Sequence, residues 1–427
     1  MAFNPRWKHL KTCALALMMA GLAAPSFAQD TLKFVSWQKD EKGVGDWFEN
    51  LIDQFEASHP GVTIEFTKVE ASAYAPTMTT LFASGSPPDI VHVAAFDYPR
   101  FAANGWLEPL DPYIEESGLD LKGWSGQDKC KWEGQTVCIV NLYFGFVMGY
   151  NEELLKEAGV SVPTNYAEFR DAAKALTKDT DGDGIIDQFG TGHEIRDGVS
   201  WYVTEMLNYM LPHGAFWTNP AGEVTMDTPE MIAALTDWKE MNLSGSMPRD
   251  PKPGDTRALF VDGKIAMKID GPWIVPIMTG AKPEMQGKLK LTQSPFNPPV
   301  GGNSNVLAIA ADISDEHKKL VWDFIKLATS DENQSLLATL GESLPPSPRA
   351  NLDAAKAQRP ELETLITALR TAGAAGIDRI PPGLESAYNE MARMVMEETE
   401  RMIIEDLPPA DVAKTLQKRA EQIQQDM

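Results

Sequence analysis

Three cysteines and six histidines in 427 residues leave little material for thiol or metal chemistry. The histidines stand at 9, 59, 92, 193, 213 and 317, and no two are three or four apart, the spacing that sets two ligands on one helix face. A catalytic zinc is therefore not expected, and each histidine reads as a surface or internally bonded residue. G-x-S-x-G, S-x-x-K with its partner motifs and H-E-x-x-H are also missing, which removes the common hydrolase signatures. Basic charge is scarce: 38 Lys and Arg against 61 Asp and Glu give a net charge of −23. Nucleic-acid affinity comes mainly from Lys and Arg displacing counterions, so no nucleic-acid partner is expected, and anionic ligands are disfavoured more weakly. No internal repeat or low-complexity tract occurs. The ordinary globular mix, 43% hydrophobic and 23% charged, allows a large core.

What is present begins with an unusual first segment. Arg6, Lys8 and Lys11, without any acid, precede an apolar run from Cys13 to Ala24 and then Pro25-Ser26-Phe27-Ala28. That run of 12 residues is short of the ~20 needed to span a bilayer and fits a secretory signal cleaved after Ala28. The expectation is an exported, periplasmic protein whose mature chain carries −26. Export gives the two remaining cysteines a meaning, because oxidising compartments permit disulfides. Cys130 and Cys138 flank a hairpin pattern turning at Glu133-Gly134, which would set them opposite each other as a local disulfide. Beyond it, Thr31–Trp37, Val62–Val69 and Asp89–Ala94 read as strands, with helical spacing over Gly45–Glu56 and Tyr74–Ser84 between them. This is the βαβαβ rhythm of an α/β sheet. A second α/β unit begins near Val147 and turns helix-rich toward the end of the chain, while proline clusters at 295–299 and 345–348 mark crossover or hinge candidates.

Two local patterns suggest ligands. Asp179, Asp181, Asp183, Ile185 and Asp187 occupy the ligand positions of the first half of a calcium loop, with Gly184 at its turn; Gly190 stands where a bidentate Glu belongs. A calcium ion here would be structural, and Asp-Gly pairs also suit a solvated turn. The second pattern is the 11 tryptophans, one of them in the signal. Aromatic faces stack on the apolar faces of sugar rings while carboxylates and amides bond the hydroxyls. Trp37 follows the first strand, Phe96-Asp97 the third, Tyr143-Phe144 follow Asn141, and Asp270-Gly271-Pro272-Trp273 closes another strand. In open α/β sheets the ligand crevice lies outside the carboxyl ends of the strands.

Ser84-Gly85-Ser86-Pro87-Pro88-Asp89-Ile90, Gly105-Trp106-Leu107-Glu108-Pro109-Leu110, Tyr150-Asn151-Glu152-Glu153-Leu154-Leu155 and Phe260-Val261-Asp262-Gly263-Lys264-Ile265-Ala266-Met267 occur in that order, followed by Asp270-Gly271-Pro272-Trp273. Over nearly the whole mature chain this resembles the extracellular solute-binding proteins of carbohydrate-uptake ABC transporters, the family that includes maltose-binding protein. The resemblance implies an α/β fold of two lobes joined by a multi-strand hinge. The first lobe would be residues 29–142 and 296–328, the second 143–295 and 329–427, with 1–28 the signal. It implies a monomeric receptor without catalysis or required cofactor, closing on a sugar and docking on a membrane permease. Trp37, Trp201 and Trp273 would hold ring faces, with Phe96, Tyr143 and Phe144 beside them. Asp97, Asp270 and Asn303 would hold hydroxyls, with Asn141 and Gly302 also in the site. Alternatives are the same fold binding a polyol or glycerol phosphate derivative, and a secreted glycoside hydrolase built on paired carboxylates.

Overall fold

The structure is a computed structural model describing residues 30–195, 198–249, 251, 254–340, 344–374 and 380–427, without the side chains of 302–304 and 374. Residues 1–29, where the secretory signal is expected, and residues 196, 197, 250, 252, 253, 341–343 and 375–379 lie outside this set. The chain runs β1 (Asp30–Ser36), α1 (Val44–Ser58), β2 (Val62–Lys68), α2 (Ala71–Ala83), β3 (Ile90–Ala94), α3 (Tyr98–Ala103) and α4 (Asp111–Ser117). In α1, Trp47, Phe48, Leu51, Ile52 and Phe55 recur at helical spacing and are all buried, so the amphipathic stripe decides the element. The hairpin β4 (Lys131–Trp132) and β5 (Gln135–Thr136) turns through Glu133 and Gly134, both at positive φ. It brings Cys130 and Cys138 to a Cα separation of 5.3 Å, joined as a disulfide.

Next come β6 (Ile139–Gly145), β7 (Val147–Asn151), α5 (Glu152–Ala158), α6 (Tyr166–Ala175), α7 (Val199–Met210), α8 (Pro229–Leu243), α9 (Asp255–Val261), β8 (Met267–Asp270) and α10 (Ile274–Thr279). Helix α5 is capped at both ends: the Asn151 side chain accepts from the N–H groups of Glu153 and Leu154, and Gly159 closes it in the left-handed conformation. The chain ends with β9 (Leu289–Gln293), β10 (Gly301–Ile309), α11 (Asp315–Ala328), α12 (Asp331–Leu340), α13 (Asp353–Gln358), α14 (Leu362–Ala374), α15 (Tyr388–Ile404) and α16 (Pro409–Asp426).

Two sheets organise these elements. The larger has the order β2-β1-β3-β10-β6, with β1 parallel to β2 and β3, and β10 antiparallel to β3 and β6. Its strands alternate between two cores, as period-2 side chains must. Leu32, Phe34, Ile90, Ile139 and Leu307 face the α1/α11 side, and Val35, Val91, Val93, Val140 and Val306 face α2 and α3. The smaller sheet, β8-β7-β9, is antiparallel throughout. Helices α7, α8, α15 and α16 pack on one another beside it, around Tyr202, Tyr209, Trp217, Trp238 and Tyr388. Among the described residues no helix is long and apolar enough to cross a membrane.

Only Phe146 separates β6 from β7, so the chain passes directly from one sheet to the other, and it returns between Gln293 and Gly301. Tyr143 and Leu344 exchange both backbone hydrogen bonds at 3.0 Å where a later segment joins the same edge. Helix α14 lies across these crossing strands, close enough that a Cβ on Gly145 would stand 2.7 Å from the carbonyl carbon of Ala368. One stretch differs from the lobe assignment made on sequence. Helix α12, placed in the second lobe, packs on α1, where Trp47 Nε1 donates to the Asn333 carbonyl at 2.8 Å. Burying Leu337 requires an apolar surface, and α1 offers one beside α11, while Ala338 packs with Ala355 and Leu362 of α13 and α14.

Candidate functional site

The strongest convergence of expected residues lies at the end of β8. Pro272 stops the strand and Trp273 caps α10, so the indole is fixed between two elements and does not hang from a loop. Its ring meets Phe144 at 5.1 Å, Trp201 at 5.4 Å and Phe146 at 5.8 Å, each nearly perpendicular, the edge-to-face geometry that aromatic quadrupoles favour. Phe144 comes from β6 of the larger sheet, Trp201 from α7 and Trp273 from the β8 end. Gly271 is required here, since a Cβ on it would stand 2.1 Å from the Trp273 ring.

Asp270 lies beneath this wall, only 1% exposed. It was expected to bond ligand hydroxyls, but its oxygens are committed internally. Trp273 Nε1 donates to Oδ1 at 2.5 Å and the Gly271 N–H at 2.9 Å. The Arg257 guanidinium donates to both oxygens, Nε at 2.7 Å and Nη2 at 2.9 Å, and its carbon sits 4.9 Å from the Trp201 ring centre. This bidentate fork is the strong form of a carboxylate–arginine contact. Burial opposes the charge on Asp270, but Arg257 and Lys268 outweigh it and hold the carboxyl below its ordinary value. Asp270 therefore shapes the wall through its neighbours.

Deeper in the second unit, Lys268 Nζ donates to Glu205 Oε1 at 3.2 Å with neither side chain more than 2% exposed. Glu205 Oε1 also accepts from the Glu194 N–H at 2.9 Å. Glu194 in turn accepts from Thr256 Oγ1 and, at 3.1 Å, from the Arg257 N–H. Burial raises the Glu205 carboxyl despite Lys268, whereas for Lys268 burial is outweighed by Glu205, Asp270 and Glu194, which raise the ammonium.

On the first-unit side, Trp37 stacks on buried His92 with ring centres 4.5 Å apart and meets Tyr74 edge-on at 4.7 Å. Burial pushes His92 down to about 3, so it is neutral at physiological pH. Its Nδ1 shares a 2.9 Å hydrogen bond with Ser36 Oγ, which also accepts from the Gln38 N–H. Gln38 accepts from Asn305 Nδ2 at 2.8 Å and donates to Glu41 at 2.8 Å. Glu41 keeps solvent access although protein crowds it. Burial raises its carboxyl, and Gln38, Arg257 and Lys68 pull it back. Arg257 on the other unit is thus among the charges that favour the ionised form of Glu41.

Phe96 and Asp97 meet the start of α15: Phe96 lies 5.0 Å from the Tyr388 ring, and Asn389 Nδ2 donates to Asp97 Oδ1 at 2.7 Å. Asp97 is also 3.8 Å from Arg100 and is 7% exposed, so it is a contact between units in this conformation. Asn141 is the extra residue of a β-bulge, where β10 pairs Asn305 with Leu142 and Val306 with Val140. Its amide is 1% exposed and neither polar atom has a partner. Tyr143 pairs with Leu344 and packs over Gly126. The backbone of Gly302 and Asn303 belongs to β10, and their side chains lie outside the described residues.

The calcium-loop residues sit elsewhere, on an exposed turn after α6. Ligand oxygens of Asp179, Asp181 and Asp187 lie within 4.8 Å of one another. Asp179 accepts from the Gly182 and Gly184 N–H groups, at 2.6 and 2.7 Å, and Asp187 accepts from Thr180, so the turn is bonded through its own backbone. Asp183 bonds the Ile185 N–H at 2.8 Å and lies outside that cluster. Sequence reasoning missed Arg257, Glu41, Gln38, Tyr388 and Asn389. Only Gln38 and Glu41 left a trace, as polar residues three apart directly after Trp37.

Comparison with known proteins agrees with this geometry. An ABC transporter periplasmic-binding protein of Escherichia coli K12, YcjN, is 25% identical over 309 residues, 69% of this chain and 68% of its own. The diacetylchitobiose binding protein DasA of Streptomyces coelicolor is 24% identical over 339 residues, 75% of this chain and 74% of its own. Among solved structures, the ABC substrate-binding protein Lmo0181 of Listeria monocytogenes, in complex with cycloalternan, superposes with a TM-score of 0.77 at 20% identity. It covers 92% of this chain and 98% of its own. That likeness shows the two-lobe α/β fold. The profile of the bacterial extracellular solute-binding protein family matches residues 38–335. The chain belongs to that family.

Proposed function

We propose that this protein is the exported receptor of an ABC importer, binding a neutral sugar or oligosaccharide between its lobes and delivering it to a membrane permease. The observation that carries the reading is the Trp273–Trp201–Phe144 wall where β6 passes toward the second sheet, set on a cation already paired with a carboxylate. Aromatic rings offer surface to the apolar faces of a sugar. Arg257, bonded to Asp270, carries no surplus positive charge to draw a phosphate. The naming of a diacetylchitobiose receptor and a cycloalternan complex among the relatives supports the same ligand class.

In this reading Trp37 lines the first-lobe wall, with Phe96, Tyr143 and the backbone around Gly302 and Asn303 beside it, and Asn141 lies under the crossing strands. Asp97 contributes through its contact with Asn389. Closure rotates the lobes about the segments at 145–147 and 293–301 and turns ligand capture into a shape the permease reads. The receptor works in the periplasm as a monomer, without catalysis or a required cofactor; the Asp179–Asp187 turn, with or without calcium, lies outside the chemistry. The test is intrinsic tryptophan fluorescence of the mature protein titrated with neutral mono- and oligosaccharides, polyols and phosphorylated polyols, alongside a product assay. A saturable response to a neutral sugar with no product supports the reading. A response only to the phosphorylated polyol, or turnover of a glycoside, overturns it.

A further inference from the structure

A lysine and a glutamate buried to within 2% in the second lobe need a reason, because taking two charges out of water is expensive and an apolar pair of similar volume is often as stable. Stability alone does not account for Lys268 and Glu205. Their connections do. Lys268 and Asp270 are two apart on β8, so both project to the same side of the strand. Glu205 holds the Glu194 N–H, and Glu194 holds the backbone of Arg257, whose guanidinium grips Asp270. The contacts thus run as one chain from lysine through two glutamates and arginine to aspartate, with Trp273 Nε1 bonded to the aspartate and Trp201 lying against the arginine.

We infer that Lys268 and Glu205 are positioning residues for the ligand-facing wall, fixing Asp270 and through it the orientation of Trp273 and of the Arg257 guanidinium over Trp201. The inference rests on the receptor reading for its ligand assay. Neither residue touches the ligand. Lys268 supplies a second cation to a carboxylate that must stay charged while nearly dry. Glu205 pairs with Lys268 and holds the Glu194 N–H that leads on to Arg257, while Asp270 and Glu194 also favour the ammonium. The charged groups of the network come from several elements: Arg257 on α9, Lys268 on β8 and Glu205 on α7 act on Asp270, Glu194 ahead of α7 acts on Lys268, and Arg257 acts in turn on Glu41 of the first lobe.

The experiment uses the mature protein and three variants, Lys268→Met/Glu205→Leu, Lys268→Met and Glu205→Gln. Each is read by calorimetric titration with the sugar identified by fluorescence, from pH 4 to 8, and by near-ultraviolet circular dichroism without ligand. Losing Lys268 removes a favourable charge from Asp270, so both variants lacking it are expected to bind about tenfold more weakly at neutral pH. Their acid loss of affinity should begin about one pH unit higher. Glu205→Gln keeps the shape and the acceptor but removes a repelling charge, so its acid limb should move the other way. A merely structural role would not split the two residues in opposite directions. Folded variants lacking Lys268 with wild-type affinity and pH profile, or Glu205→Gln moving its limb upward, would overturn the proposal. If the double variant does not fold, Glu205→Gln decides by the same reading. If the wild type binds no sugar, the receptor reading fails, and circular dichroism decides positioning alone. A changed indole signal in folded Lys268→Met, matching the change in Trp273→Phe, supports it, and an unchanged signal refutes it.

Discussion

Replacing Trp273 by alanine separates the two roles the structure gives this side chain. Removal forfeits edge-to-face contacts with Phe144, Trp201 and Phe146, worth about 0.5–1.5 kcal/mol each beyond their area, and the indole N–H bond to ionised Asp270, worth about 1.5–3 kcal/mol. These terms overlap, and a Trp-to-Ala change in a packed site loses about 3–5 kcal/mol in total. Trp273 is only half-buried, so the lower end, about 3 kcal/mol, is expected for folding. For binding, loss of an aromatic anchor costs about 1–3 kcal/mol, roughly a 5- to 150-fold rise in Kd. Trp273→Phe keeps a ring against its three neighbours but removes the N–H. It should recover most of the binding while still losing about 1.5 kcal/mol of stability, because Asp270 retains Arg257 and the Gly271 N–H. Urea unfolding and calorimetric titration on the same preparations measure both quantities. Trp106→Phe, on a ring stacked against Phe82 inside the first lobe, is the control and should not change Kd. If Trp273→Ala binds within twofold of the wild type, the indole is a packing residue only and the wall has been misread. If Trp273→Phe loses as much affinity as Trp273→Ala, the N–H bond to Asp270 carries the site and ring stacking does not.

Three other outcomes follow from the structure. His92 and His193 are each held near 3 by burial, below the ordinary value of about 6.5. Their contribution is therefore complete above about pH 6.5 and is lost as pH falls toward 3. Each should destabilise the protein by about 2 kcal/mol between pH 6.5 and 5, measured by urea unfolding, and a flat profile there would refute the burial argument. Gly145→Ala would force a Cβ to within 2.7 Å of the α14 backbone, so about 1–3 kcal/mol of stability should be lost as the helix lifts off the crossing strands. Scattering with and without ligand should show a changed closure, and an unperturbed variant would mean that the helix yields freely. Ligand affinity should be the same in calcium and in chelator, because the Asp179–Asp187 turn bonds its own backbone and is remote from the wall; a calcium-dependent Kd would put the ion into the binding mechanism.

Local physics made much of this fold readable in advance. The five buried apolar residues of α1, the Asn151 cap, the Glu133-Gly134 turn and the cysteines beside it each encode their geometry within a dozen residues. The Asp270-Gly271-Pro272-Trp273 run belongs to the same class. A strand ends at a proline, the glycine leaves room for a ring, and the tryptophan comes out beside the crossing strands. What escaped notice depends on chain segments far apart. Nothing near Arg257 says that it will reach Asp270 13 residues later and lie over Trp201, and nothing near Glu41 says that an arginine more than 200 residues away will act on its charge. The register slip that isolates Asn141 exists only in the pairing of β6 with β10.

Asp270 shows why the sequence reading of the site was incomplete in kind as well as in extent. A carboxylate in a loop beside a tryptophan suggests a hydroxyl acceptor, yet the folded chain surrounds it with an arginine fork, an indole N–H and a backbone N–H and leaves it 1% exposed. With its acceptor capacity committed, a ligand hydroxyl could bond it only by displacing a partner, and each partner orients part of the wall. In the proposed reading the charge would act on the ligand at one remove, by holding a ring and a guanidinium still, so that less freedom is lost when a sugar arrives. That would be preorganisation, and it would give groups that do not touch the ligand a share in the selectivity of this lobe.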